Sequence, residues 1–432
     1  MRLSFTASLT ALALAFGLAC APAAHAQSKL KYAGVNLAGA EFNSSAKPGV
    51  VYKNYVYPTD TDFAYFADQG MNVIRLPFLW ERLQPQAGAT LDATQLSYIR
   101  TAVTRAKNHG LKIILDPHNY AKYNGQFIGS SSVPNAVFAD LWRQLATAFA
   151  NDDAVIFGLM NEPYSISATT WASAAQAGID AIRATGAKNL VLVPGVAWTG
   201  AHSWNSSSAG GGVSNGDALA KLTDPANNLA YEVHQYMDAY YSGTSATCVS
   251  PTIGAEKLKG FTDWLRANGK VGFLGEFGAA NNDTCMVALD GMLSYMESNR
   301  DVWLGWTYWA AGAWWNDSYM FSVQPDKAGN AKPQLAILAD HARAITSAAK
   351  AVATRTAPPM MSQPALSKPA TAAQAPVTAK TAAAVTTSKP VVQVAASVSM
   401  PKLVSASKPA AENPLVRAAL RRWFATRDAS TR

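Results

Sequence analysis

Leu159-Met160-Asn161-Glu162-Pro163 and Leu274-Gly275-Glu276-Phe277-Gly278 each set one glutamate at the end of a short apolar run. Runs of this kind, rich in Val, Ile, Leu and Phe and bounded by turn residues, read as strands buried on both faces. Working outward, eight such runs can be counted, near residues 30–39, 72–78, 112–118, 154–161, 189–195, 229–236, 271–277 and 303–309. Helix-like stretches fall between them at 59–69, 92–108, 135–150, 170–185, 252–268 and 283–299. Four end on Gly70, Gly110, Gly186 or Gly269, as helix C-termini often do. Alternation of strand and helix calls for parallel strands with crossover helices. Eight such units predict an α/β fold, a closed (β/α)8 TIM barrel over residues 29–348. An open doubly wound sheet would carry a glycine-rich phosphate loop after its first strand. The stretch Gly34-Val35-Asn36-Leu37-Ala38-Gly39-Ala40-Glu41 lacks that spacing.

The ends of the chain read differently. Arg2, an apolar run from about Leu9 to Cys20 and then Ala24-His25-Ala26 predict a signal peptide over 1–26, with export of the mature chain. The apolar run is short for a membrane span, and no second long one follows, so no stable membrane insertion is expected. Residues 349–411 are Ala, Pro, Ser, Thr, Val and Lys with almost no aromatics, a composition that predicts a disordered linker. Residues 412–432 form a short basic segment in which Asn413-Pro414 could open a helix. The net charge of +8 is misleading as a whole-chain figure. Residues 350–432 hold twelve Lys and Arg against two Asp and Glu, so the rest is mildly acidic and no nucleic-acid partner is expected. Removing the leader leaves Cys248 and Cys285, which in an exported chain are natural partners for one disulfide.

In a barrel of this type functional groups collect at the C-terminal ends of the strands, and the polar residues of these runs lie there. Arg75 interrupts Val73-Ile74-Arg75-Leu76-Pro77-Phe78, and a charge within an apolar run must be paired or functional. Asp116 and His118 end the third run two residues apart, on one side of the strand, and His234 and Tyr236 repeat that spacing in the sixth. Glu162 and Glu276 end the fourth and seventh. Two carboxylates on separate strand ends suit glycoside hydrolysis, in which one group donates a proton and the other attacks the sugar. A metal site built from the histidines and glutamates is the rival reading, and the absence of H-E-x-x-H spacing speaks against it. Trp198, Trp204, Tyr120, Tyr123, Trp309, Trp314 and Trp315 fall at strand ends or in the loops after them, as flat faces suited to sugar rings.

The set Arg75-Leu76-Pro77, Asp116-Pro117-His118-Asn119-Tyr120, Met160-Asn161-Glu162-Pro163, Val193-Pro194-Gly195 with Trp198, Val233-His234-Gln235-Tyr236, Gly275-Glu276-Phe277-Gly278 and Trp309 resembles glycoside hydrolase family 5. It is most similar to the subfamily of bacterial and fungal endo-β-1,4-glucanases. The resemblance covers about residues 29–345. It implies a retaining reaction on a β-glucan, with Glu162 as acid/base and Glu276 as nucleophile. Asn161 would bind the sugar 2-hydroxyl, Arg75 and Tyr236 would position Glu276, and His118, Asn119 and His234 would shape the cleft. Trp198 would contact sugar, and Trp309 would stack beside the cleaved bond. The resemblance implies no cofactor and no metal, and a monomer is expected. Mannanase or xylanase activity on the same barrel, or a non-catalytic carbohydrate-binding protein, are the alternatives. Deleting residues 350–432 is expected to leave turnover of soluble substrate unchanged.

Overall fold

The structure, a computed structural model, describes residues 28–356 apart from Asn151, with side chains as far as residue 347. The leader at 1–26, the basic segment at 412–432 and the linker beyond Thr356 lie outside the described residues. Eight strands close into a parallel barrel: β1 Tyr32–Leu37, β2 Val73–Phe78, β3 Lys112–Pro117, β4 Val155–Gly158, β5 Val191–Pro194, β6 Leu229–His234, β7 Gly272–Glu276 and β8 Trp303–Ala311. Each neighbours the next in sequence, and β1 pairs with β8 to close the ring. The six helical stretches read from sequence are all present. Caps fix several of their starts: Asp92 accepts from the Gln95 amide, Ser167 from Thr170 and Asn282 from Cys285. Gly70, Gly110, Gly186 and Gly269 all take positive φ where helices end. The structure adds a helix over Pro333–Thr356, whose backbone continues past residue 349, where the low-complexity stretch begins.

The barrel interior is layered. Val73, Ile114, Ile156, Leu192, Ala230 and Phe273, one from each of β2 to β7, form a buried apolar layer with Leu304 of β8. Two residues on, the same side of each strand carries Arg75, Asp116, Gly158, Pro194, Glu232 and Gly275. Three of these six, Arg75, Asp116 and Glu232, are charged, and the two glycines and the proline leave room around them. Outside the strands, a second and larger core packs the helices against the barrel wall. Register brings key residues abreast: Asn36 pairs with Arg75, and a shift after Val233 sets His234 beside Glu276.

Cys248 and Cys285 form a disulfide with Cα atoms 5.3 Å apart, closing a separation of 37 residues. Loop-closure entropy gives such a crosslink about 4 kcal/mol. Among the described residues no helix is long and apolar enough to cross a membrane.

Candidate active site

Arg75 is wholly buried at the mouth of the barrel. An unpaired guanidinium there would be very costly, and carboxylates surround it. Its Nη1 donates to Glu276 Oε1 and to Asn36 Oδ1, each at 2.9 Å. Nη2 donates to Asn161 Oδ1 at 2.9 Å and lies 3.1 Å from Asp116 Oδ2, while Nε is 3.1 Å from Glu232 Oε1. Burial works against the charge, but Asp116, Glu232, Glu276 and Glu162 outweigh it and hold the Arg75 pKa above its ordinary value. Asn36 is held in turn by donating to the carbonyls of Gly275, Thr307 and Tyr308.

The two glutamates sit in different surroundings. Glu276 accepts from Arg75 on Oε1 and from the Tyr236 hydroxyl on Oε2 at 2.9 Å. Burial, and then the Glu276 charge, push the Tyr236 pKa well up, so Tyr236 keeps its proton and donates it. The Glu276 side chain is 5% exposed and that of Glu162 is 16%, so Glu162 is the one open to a leaving group or water. Glu162 has φ +42°, the left-handed region that non-glycine residues seldom adopt. Tyr120, Ala121, Ala197, Trp198 and Thr199 share it, so strained backbone gathers where the loops leave β3, β4 and β5.

His234 stands between the glutamates. Its Nδ1 is 2.9 Å from Glu162 Oε1 and 3.6 Å from Glu276 Oε2, and its Nε2 is 3.3 Å from Glu232 Oε1. Burial opposes its charge, but Glu276, Glu162 and Glu232 prevail and raise its pKa to about 10. His118 is placed in the same manner, with Nδ1 2.9 Å from Asp116 Oδ2. Arg75 fixes the Asn161 amide with its oxygen inward, which turns the nitrogen toward His118 Nε2 at 3.1 Å. That contact makes Nε2 an acceptor, so the network carries His118 neutral with its proton on Nδ1. Burial disfavours the charge, but Asp116 and Glu276 outweigh it and raise the His118 pKa above its ordinary value, so the acceptor role of Nε2 belongs to the deprotonated ring.

The aromatic residues divide into two groups. Trp309 stacks on His118 with ring centroids 5.5 Å apart, and its Nε1 donates to the Tyr319 hydroxyl at 3.1 Å. Trp198, 36% exposed, lies parallel to Tyr164 at 5.0 Å. Trp204 and Tyr123 are not cleft surfaces. Trp204 is fully buried against Phe261 and Trp264, which also anchors the Gly- and Ser-rich loop after β5, and Tyr123 packs on Trp80. Asn119 is buried; it accepts from the Trp80 amide and donates to Glu81, bracing the β2 and β3 loops.

Glu162, His234 and Glu276 each offer an atom within 4.8 Å of the others, a spacing that could admit a cation. Both oxygens of Glu276 and both nitrogens of His234 already have partners, which a cation would have to displace. Sequence reasoning gave no role to Asn36, Glu232, Tyr164 or Tyr319. For Glu232 a signal was present: Glu232-Val233-His234 repeats the acid-x-His spacing of Asp116-Pro117-His118.

Residues 32–312 match the family model described as cellulase, glycosyl hydrolase family 5. The chain belongs to that family. Endo-beta-1,4-glucanase B of Aspergillus niger is 40% identical over 299 residues, 69% of this chain and 86% of that protein. Among solved family 5 structures, the endo-beta-1,4-glucanase of Xanthomonas axonopodis pv. citri is 60% identical with a TM-score of 0.72, covering 73% of this chain and all of that one. The endoglucanase Cel5A of Pseudomonas stutzeri in complex with cellobiose is 35% identical with a TM-score of 0.66, covering 72% of this chain and 92% of that one.

Proposed function

We propose that this family 5 barrel is a secreted endo-β-1,4-glucanase that cleaves internal bonds of β-1,4-glucans with retention. Glu276 is the nucleophile and Glu162 the acid/base. The observation that carries the reading is the carboxylate pair itself: an oxygen of each lies within 4.8 Å of the other, and only Glu276 has both oxygens held by donors. Retaining enzymes need carboxyl groups ~5–5.5 Å apart, whereas inverting ones leave ~6.5–9.5 Å for a water.

The chemistry follows from these surroundings. Arg75 and Tyr236 donate to the two oxygens of Glu276 and hold it aimed at C1. As Glu276 bonds to C1, Glu162 delivers a proton to the departing glycosidic oxygen. Water then enters at Glu162, loses a proton to it and attacks C1, and Glu276 leaves as carboxylate. Asn161, held by Arg75, presents its amide nitrogen to the 2-hydroxyl. The Trp309 amide bonds the Phe277 carbonyl, next to Glu276, and the Trp198 amide bonds the Pro163 carbonyl, next to Glu162; in this reading Trp309 and the Trp198–Tyr164 pair supply sugar faces on the two sides of the bond, as cleavage within a chain requires.

Export is supported by the leader composition and by the Cys248–Cys285 disulfide. The protein acts as a monomer, which sedimentation would check. The low-complexity stretch and basic segment are dispensable for soluble substrate. Because the last helix continues to Thr356, the truncation that tests this belongs after that residue.

The deciding experiment is reducing-sugar release from carboxymethylcellulose, mannan and xylan, with Glu276→Gln beside the wild type. Activity on carboxymethylcellulose that falls by orders of magnitude in the variant is expected. Activity chiefly on mannan or xylan would replace the substrate. Binding without hydrolysis would replace the reading.

A further inference from the structure

The mechanism above gives no part to the buried carboxylate of Glu232. Glu232 lies on β6 two residues before His234, 1% exposed, with Oε1 facing both the Arg75 Nε and the His234 Nε2. The barrel makes room for it. A Cβ on Gly275 of the neighbouring strand would lie 2.0 Å from Glu232 Oε1, and one on Gly158 would lie 3.9 Å from Oε2. Any side chain at residue 275 would drive this carboxylate out. The glycine before the nucleophile is therefore a seat for Glu232.

We propose that Glu232 is a positioning residue for the acid/base: it holds a proton on His234 Nε2, so that the proton between His234 Nδ1 and Glu162 Oε1 is the one delivered to the leaving oxygen. The inference rests on Glu162 being the acid/base. In the free enzyme the imidazolium carries both protons, and Glu162 and Glu276 are carboxylates. On glycosylation the Nδ1 proton passes to Glu162 and on to the glycosidic oxygen, while Glu276 loses its charge in the bond to C1. The site keeps the same net charge, with His234 neutral and its Nε2–H still directed at Glu232. Loss of the Glu276 charge, 3.6 Å from Nδ1, is itself what weakens the hold of His234 on the proton. Hydrolysis by water reverses each transfer.

The groups facing His234 are Glu162 beyond β4, Glu276 on β7 and Glu232 on its own strand, with Arg75 of β2 against both of the latter. The three carboxylates outweigh burial and lift the His234 pKa, in keeping with a proton resident there.

The test is the pH profile of kcat/KM for Glu232→Gln on soluble cello-oligosaccharide, because that profile reports ionisations of the free enzyme. Glutamine fills the same space and removes only the charge. The alkaline limb, where the shared proton is lost, is expected to move to lower pH by about one to three units. A limb that stays in place, whatever happens to the plateau, overturns the proposal. Should Glu232→Gln fail to fold, the wild type decides. Its 15N-histidine spectra near pH 7, with His234 assigned against His234→Gln, are expected to show both ring nitrogens protonated, and a bare Nε2 overturns the proposal. Failure of the parent reading is separate, since it would appear as equal losses by Glu162→Ala on cello-oligosaccharide and on a dinitrophenyl cellobioside.

Discussion

Arg75 Nη1 and Glu276 Oε1 meet at 2.9 Å inside the barrel mouth, with the guanidinium fully buried and the carboxylate 5% exposed. The same guanidinium reaches Asn36, Asn161, Asp116 and Glu232. A lysine keeps the charge but lacks the planar fork that serves several partners at once. Arg75→Lys is therefore expected to lower kcat at least about a hundredfold, as misplaced reacting groups do, with KM changed much less. Arg75→Ala, which strands three carboxylates, is expected to lose roughly 3–5 kcal/mol of stability. Steady-state kinetics and denaturant titration would measure the two effects.

The acid/base role of Glu162 predicts a dependence on leaving group. Glu162→Ala is expected to lose most activity on cello-oligosaccharides, whose alkoxide must be protonated as it leaves. It should lose far less on a dinitrophenyl cellobioside, whose leaving group needs no proton. Azide, a small nucleophile that needs no general base, should restore turnover of the aryl substrate by giving the β-glycosyl azide. Equal losses on both substrates would contradict the role.

Trp198 and Tyr164 lie parallel on the Glu162 side. Trp198→Ala is expected to weaken transition-state binding of cellopentaose by about 1 kcal/mol, a roughly fivefold fall in kcat/KM, and to shift the cleavage pattern. An aryl cellobioside that places only a small ring on that side should be turned over almost normally. Product analysis by chromatography would read both.

His341 ties the last helix to the one before it, with Nδ1 2.7 Å from Glu297 and Nε2 3.1 Å from Asp290. Burial opposes its charge, but Glu297 and Asp290 raise its pKa above the ordinary 6.5. A raised pKa contributes stability that is complete below about 6.5 and is lost as pH climbs through the folded value. His341→Gln should therefore lower Tm at pH 6 and scarcely change it at pH 9. The effect should stay under about 1 kcal/mol, because Asp290 is 61% exposed and solvent screens it. A larger loss at pH 9 than at pH 6 would contradict the assignment.

The barrel is legible because each strand is a mostly apolar run with its polar residues near the C-terminal end, and glycines mark four helix ends. The catalytic pair was legible because a glutamate ending such a run is conspicuous. The last helix was not, since its alanine-rich sequence merges with the low-complexity stretch that follows. Loop position says nothing of burial, so Trp204 reads as a cleft residue although its packing depends on Phe261 and Trp264, far along the chain. Glu232 is harder to read: the local Glu232-Val233-His234 spacing hints at one partner, but the other, Arg75, stands on β2 and meets it only when the ring closes. Asn36 escaped for the same reason: one polar residue in the first strand gives no hint of three distant carbonyls.

The layering of the barrel interior has a consequence for redesign. Val73, Ile114, Ile156, Leu192, Ala230 and Phe273 form an apolar floor one strand step beneath Arg75, Asp116 and Glu232. The floor contributes no group that titrates; Arg75, Asp116 and Glu232 stand directly above it, and Glu162, His234 and Glu276 lie at the strand ends beyond. Thermostability can therefore be sought by repacking the floor while the catalytic pH range is left alone, and the pH range can be moved from the storey above with the floor as an unaltered foundation. Two properties that enzymes often trade against each other are here assigned to separate storeys of one building.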